Sequence, residues 1–186
     1  MRLRNLLVAI AAVLVVTAAV EYAMGRSPLG PDGRFGWLET DIWSSAQSQR
    51  VADPYSFSHI VHGFLFYGLL WLTARRWPMS TRLLGAVVLE GAWEILENSP
   101  LIIDRYRAVT IAQGYVGDSI LNSISDIAMC ASGFLLAANL RVSISVALVV
   151  ATEILMAVLI RDNLTLNIVM LIAPIDAIKT WQMAGH

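Results

Sequence analysis

Three glutamates lie on one face of a segment whose other residues suit a membrane-spanning helix. Glu90, Glu94 and Glu97 follow one another at i, i+4 and i+7, so a helix places their carboxylates on the same side. A charge in hydrocarbon costs about 3 kcal/mol or more, and such residues normally face a protein interior. There they ligate metal ions, move protons, or pair with arginines to fix helix packing. We predict Glu94 as a metal ligand and Glu90 or Glu97 as the catalytic base that activates water.

Two histidines precede this segment along the chain. His59 and His62 are three residues apart and can point the same way from a helix. Imidazoles with carboxylates nearby suit Zn²⁺ or a similar divalent ion, so we predict a metal site formed by His59, His62, Glu94 and Asp118. The alternatives are a buried hydrogen-bonded pair at a serine-capped helix start, or one histidine acting as a general base.

Further polar side chains are predicted to hold a substrate. Asp118, Asn122 and Asp126 recur at i, i+4 and i+8, and Asp118 also suits a helix start. Arginines beside a carboxylate cavity are suited to a phosphate or lipid headgroup. The alternative for these arginines is a solvated loop or an interfacial anchor. The residues predicted to bind substrate are Arg105, Arg107, Asn122, Asp126 and Arg161.

The composition is that of a membrane protein. Of 186 residues, 57% are hydrophobic and only 15% are charged, against about 25% charged in a soluble domain. The net charge of −1 gives no basic surface for nucleic acid. The single cysteine, Cys130, excludes a disulfide within the chain. We predict one all-α membrane domain, a polytopic transmembrane helical bundle with about six spans, at residues 6–22, 58–74, 83–97, 118–138, 142–160 and 164–178.

Basic residues set the predicted orientation. The short loop between spans two and three contains Arg75, Arg76 and Arg82 and no acid. Because basic loops favour the cytoplasm, both termini are predicted to be cytoplasmic and residues 26–57 periplasmic, with the first span a retained anchor. The polar clusters of spans two, three and four then all lie at the outer ends of their helices. Their common depth predicts a shared hydrophilic cavity that opens to the periplasmic side.

Five polar strings carry a family resemblance. They are DPYSFSHIVHG at 53–63, EGAWEILENSP at 90–100, IDRYR at 103–107, GYVGDSILNSISD at 114–126 and RDNLTLN at 161–167. With these strings, residues 53–182 resemble a family of uncharacterised bacterial inner-membrane proteins known mainly from alphaproteobacteria. The resemblance implies location in the inner membrane. It implies no activity, because the family has none established.

The chain is also remotely similar to VanZ-like membrane proteins, which are linked to glycopeptide resistance. Those proteins have a histidine helix, then a helix rich in Glu or Gln, then an Asp-x-x-x-Asn helix with a later glycine. Ser58 stands where their usual aspartate precedes the histidine. The positions that match in order are His62, Glu94 or Glu97, Asp118 with Asn122, and Gly133.

Three functions remain open from the residues. The first is metal-assisted hydrolysis or group transfer on a lipid-linked or phosphate-bearing envelope substrate, with a divalent ion such as zinc as cofactor. The second is an ion- or proton-coupled carrier in which Glu90, Glu94 and Asp126 bind the cation. The third is an assembly factor whose polar helices pair with another membrane subunit. Transport predicts polar residues that continue to the inner face, and here they largely stop.

Overall fold

The computed structural model describes residues 1–112 and 114–184 and is all-helical in those residues. Its one strand-like feature there is an isolated parallel β-bridge between Leu38 and Ala52. The eight helices are α1 (Leu3–Ala23), α2 (Ser56–Thr73), α3 (Met79–Glu97), α4 (Pro100–Val109), α5 (Ile120–Asn139), α6 (Val142–Leu159), α7 (Leu164–Ile172) and α8 (Asp176–Met183). The predicted all-α class is therefore confirmed.

Three of these helices, α1, α5 and α6, are long and apolar enough to cross a membrane. Helices α2 and α3 have 18 and 19 residues but carry the histidines and glutamates. The sixth predicted span, 164–178, contains Pro174, which predicts a kink or partial insertion, and the structure divides it: α7 ends at Ile172 and α8 begins at Asp176. Proline lacks an amide donor and breaks the helix there. At 1.5 Å per residue, the nine residues of α7 cover about 14 Å of a hydrocarbon core of about 30 Å.

Helices α2 and α5 form the closest packing in the bundle. A Cβ atom added to Gly63 would overlap the carbonyl oxygen of Cys130, and one added to Gly133 would overlap the carbonyl oxygen of Ile60. The two glycines therefore let the backbones touch, as small residues do at membrane-helix crossings. This contact brings the histidine face of α2 against the aspartate face of α5.

Helix α3 lies against α5 and is covered on another side by α1. Gly91 of α3 faces the side chains of Val13 and Thr17 on α1. A cluster of buried apolar residues joins the three helices below the polar end, and it consists of Leu6, Leu83, Ala86, Val87, Ile127 and Phe134. The apolar half of the bundle thus fixes how the polar faces of α2, α3 and α5 meet.

The segment between α1 and α2, residues 24–55, covers the polar end of the bundle. It accepts hydrogen bonds from the first amides of α5, with Ser119 N donating to Ser48 O at 2.9 Å and Ile120 N donating to Ser27 O at 3.0 Å. These bonds satisfy amides that a helix start leaves unpaired. The segment therefore forms a cap over the ends of α2, α3 and α5.

Candidate functional site

His59 lies at the centre of the buried polar cluster, in contact with carboxylates from two other helices. Its Nδ1 is 2.6 Å from Glu90 Oε1 and 3.3 Å from Glu94 Oε1, both on α3. Its Nε2 is 3.7 Å from Asp126 Oδ2 on α5. Glu90 and Glu94 are fully buried. One imidazole therefore joins the three helices through ionisable groups that are all buried.

Glu90 contacts both histidines. Its Oε1 and Oε2 lie 3.0 and 3.1 Å from His62 Nδ1, in addition to the 2.6 Å contact with His59 Nδ1. A carboxylate that accepts from Nδ1–H leaves Nε2 with its lone pair, the form in which a histidine binds a metal or takes up a proton. Glu90 thus orients both rings in the same sense.

Glu94 and Glu97 complete a second set of possible ligands around the same histidine. The ligand atoms of His59, Glu94 and Glu97 lie within 4.8 Å of one another, as do those of His59, His62 and Glu90. Neither oxygen of Glu94 has a hydrogen-bond donor among the described residues. A buried carboxylate without a donor is costly, and a cation bound to it removes that cost. These residues therefore fit a divalent ion.

Asp118 belongs to a neighbouring hydrogen-bond network. Asn98 Nδ2 donates to Asp118 Oδ2 at 3.0 Å, and the Tyr115 hydroxyl donates to Asp118 Oδ1 at 2.9 Å. The backbone amide of Asp118 donates to Asn98 Oδ1 at 2.6 Å. Ser119, the next residue, is the N-cap of α5 and accepts from the amide of Asn122. Asp118 thus precedes the cap, and its role as a metal ligand stays a prediction.

The two predicted substrate residues on α5 have defined partners. Asp126 Oδ1 accepts from the Ser56 hydroxyl at 3.0 Å, and Asn122 Nδ2 donates to the Arg50 carbonyl at 2.9 Å. The chain of contacts continues from Ser56 to Asp53, whose amide donates to Ser56 Oγ at 3.2 Å. Burial raises the pKa of Asp53, which lies in the covering segment outside the helices. Polar side chains therefore form a series of contacts from Glu90, through His59, Asp126 and Ser56, to Asp53 in the covering segment.

A cavity of about 290 Å³ lies beside this cluster, between the helix ends and the covering segment. His59, His62, Glu97, Asp118 and Asp126 line its inner wall, and residues from Ile42 to Ser48 lie over it. Aromatic side chains complete the wall, and they are Trp43, Tyr55, Trp93, Tyr106 and Tyr115. The predicted shared cavity at the polar end of spans two to four is thus present.

The three arginines predicted to hold phosphate contact other groups. Arg105 Nε donates to the Leu171 carbonyl at 3.0 Å, and Arg107 Nε donates to the Tyr115 carbonyl at 2.5 Å. Arg161 donates to the Trp181 carbonyl at 2.9 Å. None of the three lines the cavity among the residues described. Their substrate role stays a prediction that the cavity lining does not support.

Glu21 is a buried acid that the sequence analysis did not single out. It lies near the end of α1, is fully buried, and has Arg26 and Asp118 as charged neighbours. The sequence did contain a signal for Glu21, because it is an acid inside the first predicted span, at the same end as the other polar clusters. The tyrosines were also missed, because a tyrosine near a span end is usually an interfacial residue.

Asp162 organises a second polar cluster, in the turn between α6 and α7. Its carboxylate accepts from the Tyr55 hydroxyl at 2.8 Å, from Asn167 Nδ2 at 3.1 Å and from Gln182 Nε2 at 2.9 Å. The amide of Asn163 adds a fourth donor at 2.9 Å. Burial nevertheless raises the pKa of Asp162 to about 6. This residue ties α7 and α8 to the start of α2.

The fold and site define an all-helical protein with membrane-length apolar helices and an acidic cavity with two histidines at one end. The chain belongs to the family described as protein of unknown function (DUF2585), whose profile matches residues 21–184. This agrees with the resemblance to an alphaproteobacterial family. The similarity to VanZ-like proteins stays a prediction.

Curated relatives are similar over nearly the whole chain. The UPF0314 protein RL4541 of Rhizobium johnstonii is 53% identical over 94% of this chain and 90% of its own length. The UPF0314 protein of Sphingopyxis alaskensis is 50% identical over 94% of this chain and 93% of its own. The UPF0314 protein Atu8092 of Agrobacterium fabrum is 51% identical over 94% of this chain and 88% of its own length. No solved structure matches the chain.

Proposed function

We propose that this protein is a multi-pass protein of the bacterial inner membrane that binds a divalent metal ion such as Zn²⁺ and catalyses hydrolysis or group transfer on a lipid-linked envelope substrate. The observation that carries the proposal is the position of His59 in two ligand sets. Each set, His59 with His62 and Glu90 or His59 with Glu94 and Glu97, has its ligand atoms within 4.8 Å. Imidazole and carboxylate are the ligands typical of catalytic zinc sites.

The proposed ligands are His59, which both sets share, His62 from the first set and Glu94 from the second. Glu90 is the carboxylate that orients both imidazoles, since it lies within hydrogen-bond distance of each Nδ1. A bound divalent ion supplies Lewis acidity and lowers the pKa of water. Glu97 lines the cavity and lies beside the cluster, so it is the better placed of the two predicted bases to accept a proton from water.

The proposed orientation has the N-terminus in the cytoplasm and the cavity on the periplasmic side. The end of α8 then lies on the cavity side too, and not in the cytoplasm as predicted, because Gln182 donates to Asp162 in the turn between α6 and α7. The support for this orientation is the arginine-rich loop at Arg75–Arg82, at the opposite end of α2 and α3 from the histidines and from Glu97. With α2 and α3 inserted beside α1, α5 and α6, five helices cross the membrane, and α7 and α8 form a partly inserted sixth element. A cavity at the outer end of such a bundle is open to lipid-linked substrates from the outer leaflet.

A proton- or ion-coupled carrier is the second candidate. It is favoured by the contact of one imidazole with Glu90, Glu94 and Asp126, because such a cluster can hold an exchangeable proton. The apolar cluster below these residues, which includes Val87, Ile127 and Phe134, offers no polar route to the other face. We therefore place the enzyme first and the carrier second, with an assembly role third.

Metal analysis tests the proposal. Detergent-purified wild type is compared by mass spectrometry of elements with His59→Ala/His62→Ala and with Asp104→Asn, a matched loss of charge at an exposed position of α4. We expect about one divalent ion per wild-type and Asp104→Asn chain, and loss of that ion from the histidine variant. Equal metal content in all three proteins would remove the basis of the proposal.

A further inference from the structure

The wall of the cavity is rich in acidic side chains and poor in basic ones. Among the residues described, four carboxylates line it, Asp53, Glu97, Asp118 and Asp126, and no lysine or arginine does. Glu90 and Glu94 lie directly behind the wall, in contact with His59. Even with a divalent ion bound, this surface has more acidic groups than cationic ones. A phosphate group entering the cavity would therefore meet carboxyl oxygens and would find no lysine or arginine in the wall to pair with.

The arginines of the segments around the cavity do not offset this excess of acidic side chains. Arg50 forms an ion pair of 2.6 Å with Asp32, on the outside of the covering segment. Arg26 donates to the Val116 carbonyl and Arg107 to the Tyr115 carbonyl. Their guanidinium groups are thus held by backbone carbonyls or by Asp32 and are not part of the lining.

The same wall is rich in aromatic rings. Tyr106 and Tyr115 pack edge to face with ring centroids 5.5 Å apart, next to Glu97 and Asp118. Trp43 lies on the covering side and Trp93 on α3. Aromatic faces attract cations through their quadrupole, and cages of aromatic rings with carboxylates recognise ammonium groups. A wall of this kind discriminates a cation from a neutral group of the same shape.

One buried carboxyl also lacks a hydrogen-bond donor of normal geometry. Neither oxygen of Glu94 accepts a hydrogen bond among the described residues, although the side chain is fully buried. Its nearest ligand-bearing neighbours, His59 and Glu97, both line the cavity. The carboxyl of Glu94 behind the wall is thus only partly satisfied within the protein, by its 3.3 Å contact with His59 Nδ1, and a cation in the cavity would satisfy it further.

From these observations we infer that the cavity takes an organic ammonium group, either on a lipid headgroup or on a free amine, and not a phosphate. The inference names the substrate class of the same site and rests on the proposed function for its catalytic meaning. It differs from the expectation of a phosphate-bearing group held by Arg105 and Arg107. The ammonium group would lie among Tyr106, Tyr115 and Asp118, beside the proposed metal ligands.

Binding to wild-type protein gives the direct test. The protein is placed in nanodiscs of lipids with glycerol headgroups and titrated calorimetrically with choline, ethanolamine and inorganic phosphate. The fourth probe is the uncharged analogue of choline, in which carbon replaces the ammonium nitrogen. We expect choline to bind about tenfold more tightly than its analogue, with no binding of phosphate. Equal affinity for choline and its analogue, or binding of phosphate without choline, overturns the inference.

Two variants with matched controls locate the site. We expect Asp118→Asn to weaken choline binding about tenfold and Trp43→Leu to weaken it several-fold, because each removes part of the attraction for the cation. Asp104→Asn and Trp37→Leu change the same residue types outside the cavity and leave the affinity unchanged; Trp37 is 73% exposed in the covering segment. Unchanged affinity in both cavity variants, or the same loss in the controls, contradicts the assigned site.

Changing the lipid of the nanodiscs distinguishes a lipid headgroup from a free amine as the source of the ammonium group. If the ligand is a headgroup, nanodiscs made with choline headgroups compete with free choline and lower its apparent affinity, whereas a free-amine site binds equally in both. Metal content measured on the same samples separates the two proposals. Metal without choline binding defeats the ammonium inference alone, and choline binding without metal defeats the proposed metal chemistry alone.

Discussion

Glu90 Oε1 lies 2.6 Å from Nδ1 of His59 inside the helix bundle, and no solvent reaches the carboxylate. The two residues are on different helices, α3 and α2, so the contact also fixes how these helices face each other. A short charge-assisted contact of this kind orients the ring and raises its basicity. The function proposed for the cavity depends on this orientation, because His59 is common to both ligand sets.

Replacing Glu90 with glutamine tests the orienting role. The amide keeps the shape but loses the charge that holds both imidazoles. We expect Glu90→Gln to lower the affinity for the divalent ion about 10- to 100-fold, as loss of such a supporting carboxylate does elsewhere. Competition with a chelator measures the affinity, with Asp104→Asn as the control. An affinity equal to that of the wild type would mean that Glu90 contributes only to packing.

Glu94→Gln separates metal binding from helix packing. Both oxygens of Glu94 are buried without a donor, so in metal-free protein a neutral amide removes a desolvation cost. We expect the variant to accumulate normally and to melt, without metal, at the same or a higher temperature. With metal, it should bind the ion more weakly and fail to replace the wild type in a deletion strain. Loss of the protein from the membrane would instead indicate a buried ion pair.

Gly63 and Gly133 test the helix crossing that brings the site together. Each faces a backbone carbonyl of the other helix, so Gly133→Ala and Gly63→Ala force α2 and α5 apart. We expect each to cost about 1–3 kcal/mol of unfolding free energy, the usual range for overpacking. Gly68→Ala on the same helix has open space around it and should stabilise by up to about 1 kcal/mol. Thermal melts in detergent decide between these outcomes.

The sequence predicted the polar end of the bundle better than its connections. Glutamates at i, i+4 and i+7 had to share a face, and the apolar remainder of α3 required that face to turn inward, so the meeting with His59 followed from helix geometry. Gly133 and Ala137 are also spaced as small residues are at membrane-helix crossings, and Gly133 does pack closely against α2. These features depend on local periodicity, which the sequence contains.

Features that depend on choices between distant partners were missed. Helix α4 is not among the predicted elements, although Ser99 and Pro100 form a usual helix start. The role of the arginines in holding a substrate anion stays a prediction, and their contacts with the backbone carbonyls of Leu171 and Trp181 were not predicted. No local pattern reports which acceptor is nearby in the folded chain. Glu21 was missed for the same reason, because its partners are contributed by other segments.

Cysteine labelling tests the orientation. Cys130 is the single cysteine of the chain and is buried, so Cys130→Ser gives a background without any native thiol. Asp104 has a side chain 75% exposed at the cavity end, and Arg76 is exposed at the opposite end. In intact cells we expect a membrane-impermeant reagent to label Asp104→Cys and to label Arg76→Cys only after the membrane is opened. The reverse pattern would place the cavity on the cytoplasmic side.

The pH dependence of stability tests the Asp162 cluster, which lies outside the candidate membrane spans. Burial raises the pKa of Asp162 from 3.8 to about 6, so the folded protein holds this proton more tightly than the unfolded chain. Stability from this group is therefore fully present below about pH 4 and is lost as the pH rises to about 6. The rise in the pKa corresponds to a loss of roughly 3 kcal/mol of unfolding free energy.

We expect the unfolding free energy of the wild type, relative to that of Asp162→Asn, to fall across this window and to stay constant above it. Asparagine does not titrate, so the difference between the two curves isolates Asp162 from the other acids. Asp104→Asn is the control, because its exposed carboxylate makes only a 3.7 Å contact with Arg107. Parallel curves for wild type and Asp162→Asn between about pH 4 and pH 6 would show that the four donors compensate fully for burial, since hydrogen bonds to the anion lower its pKa. Asp162 would then hold α7 and α8 against α2 equally well at either end of that range.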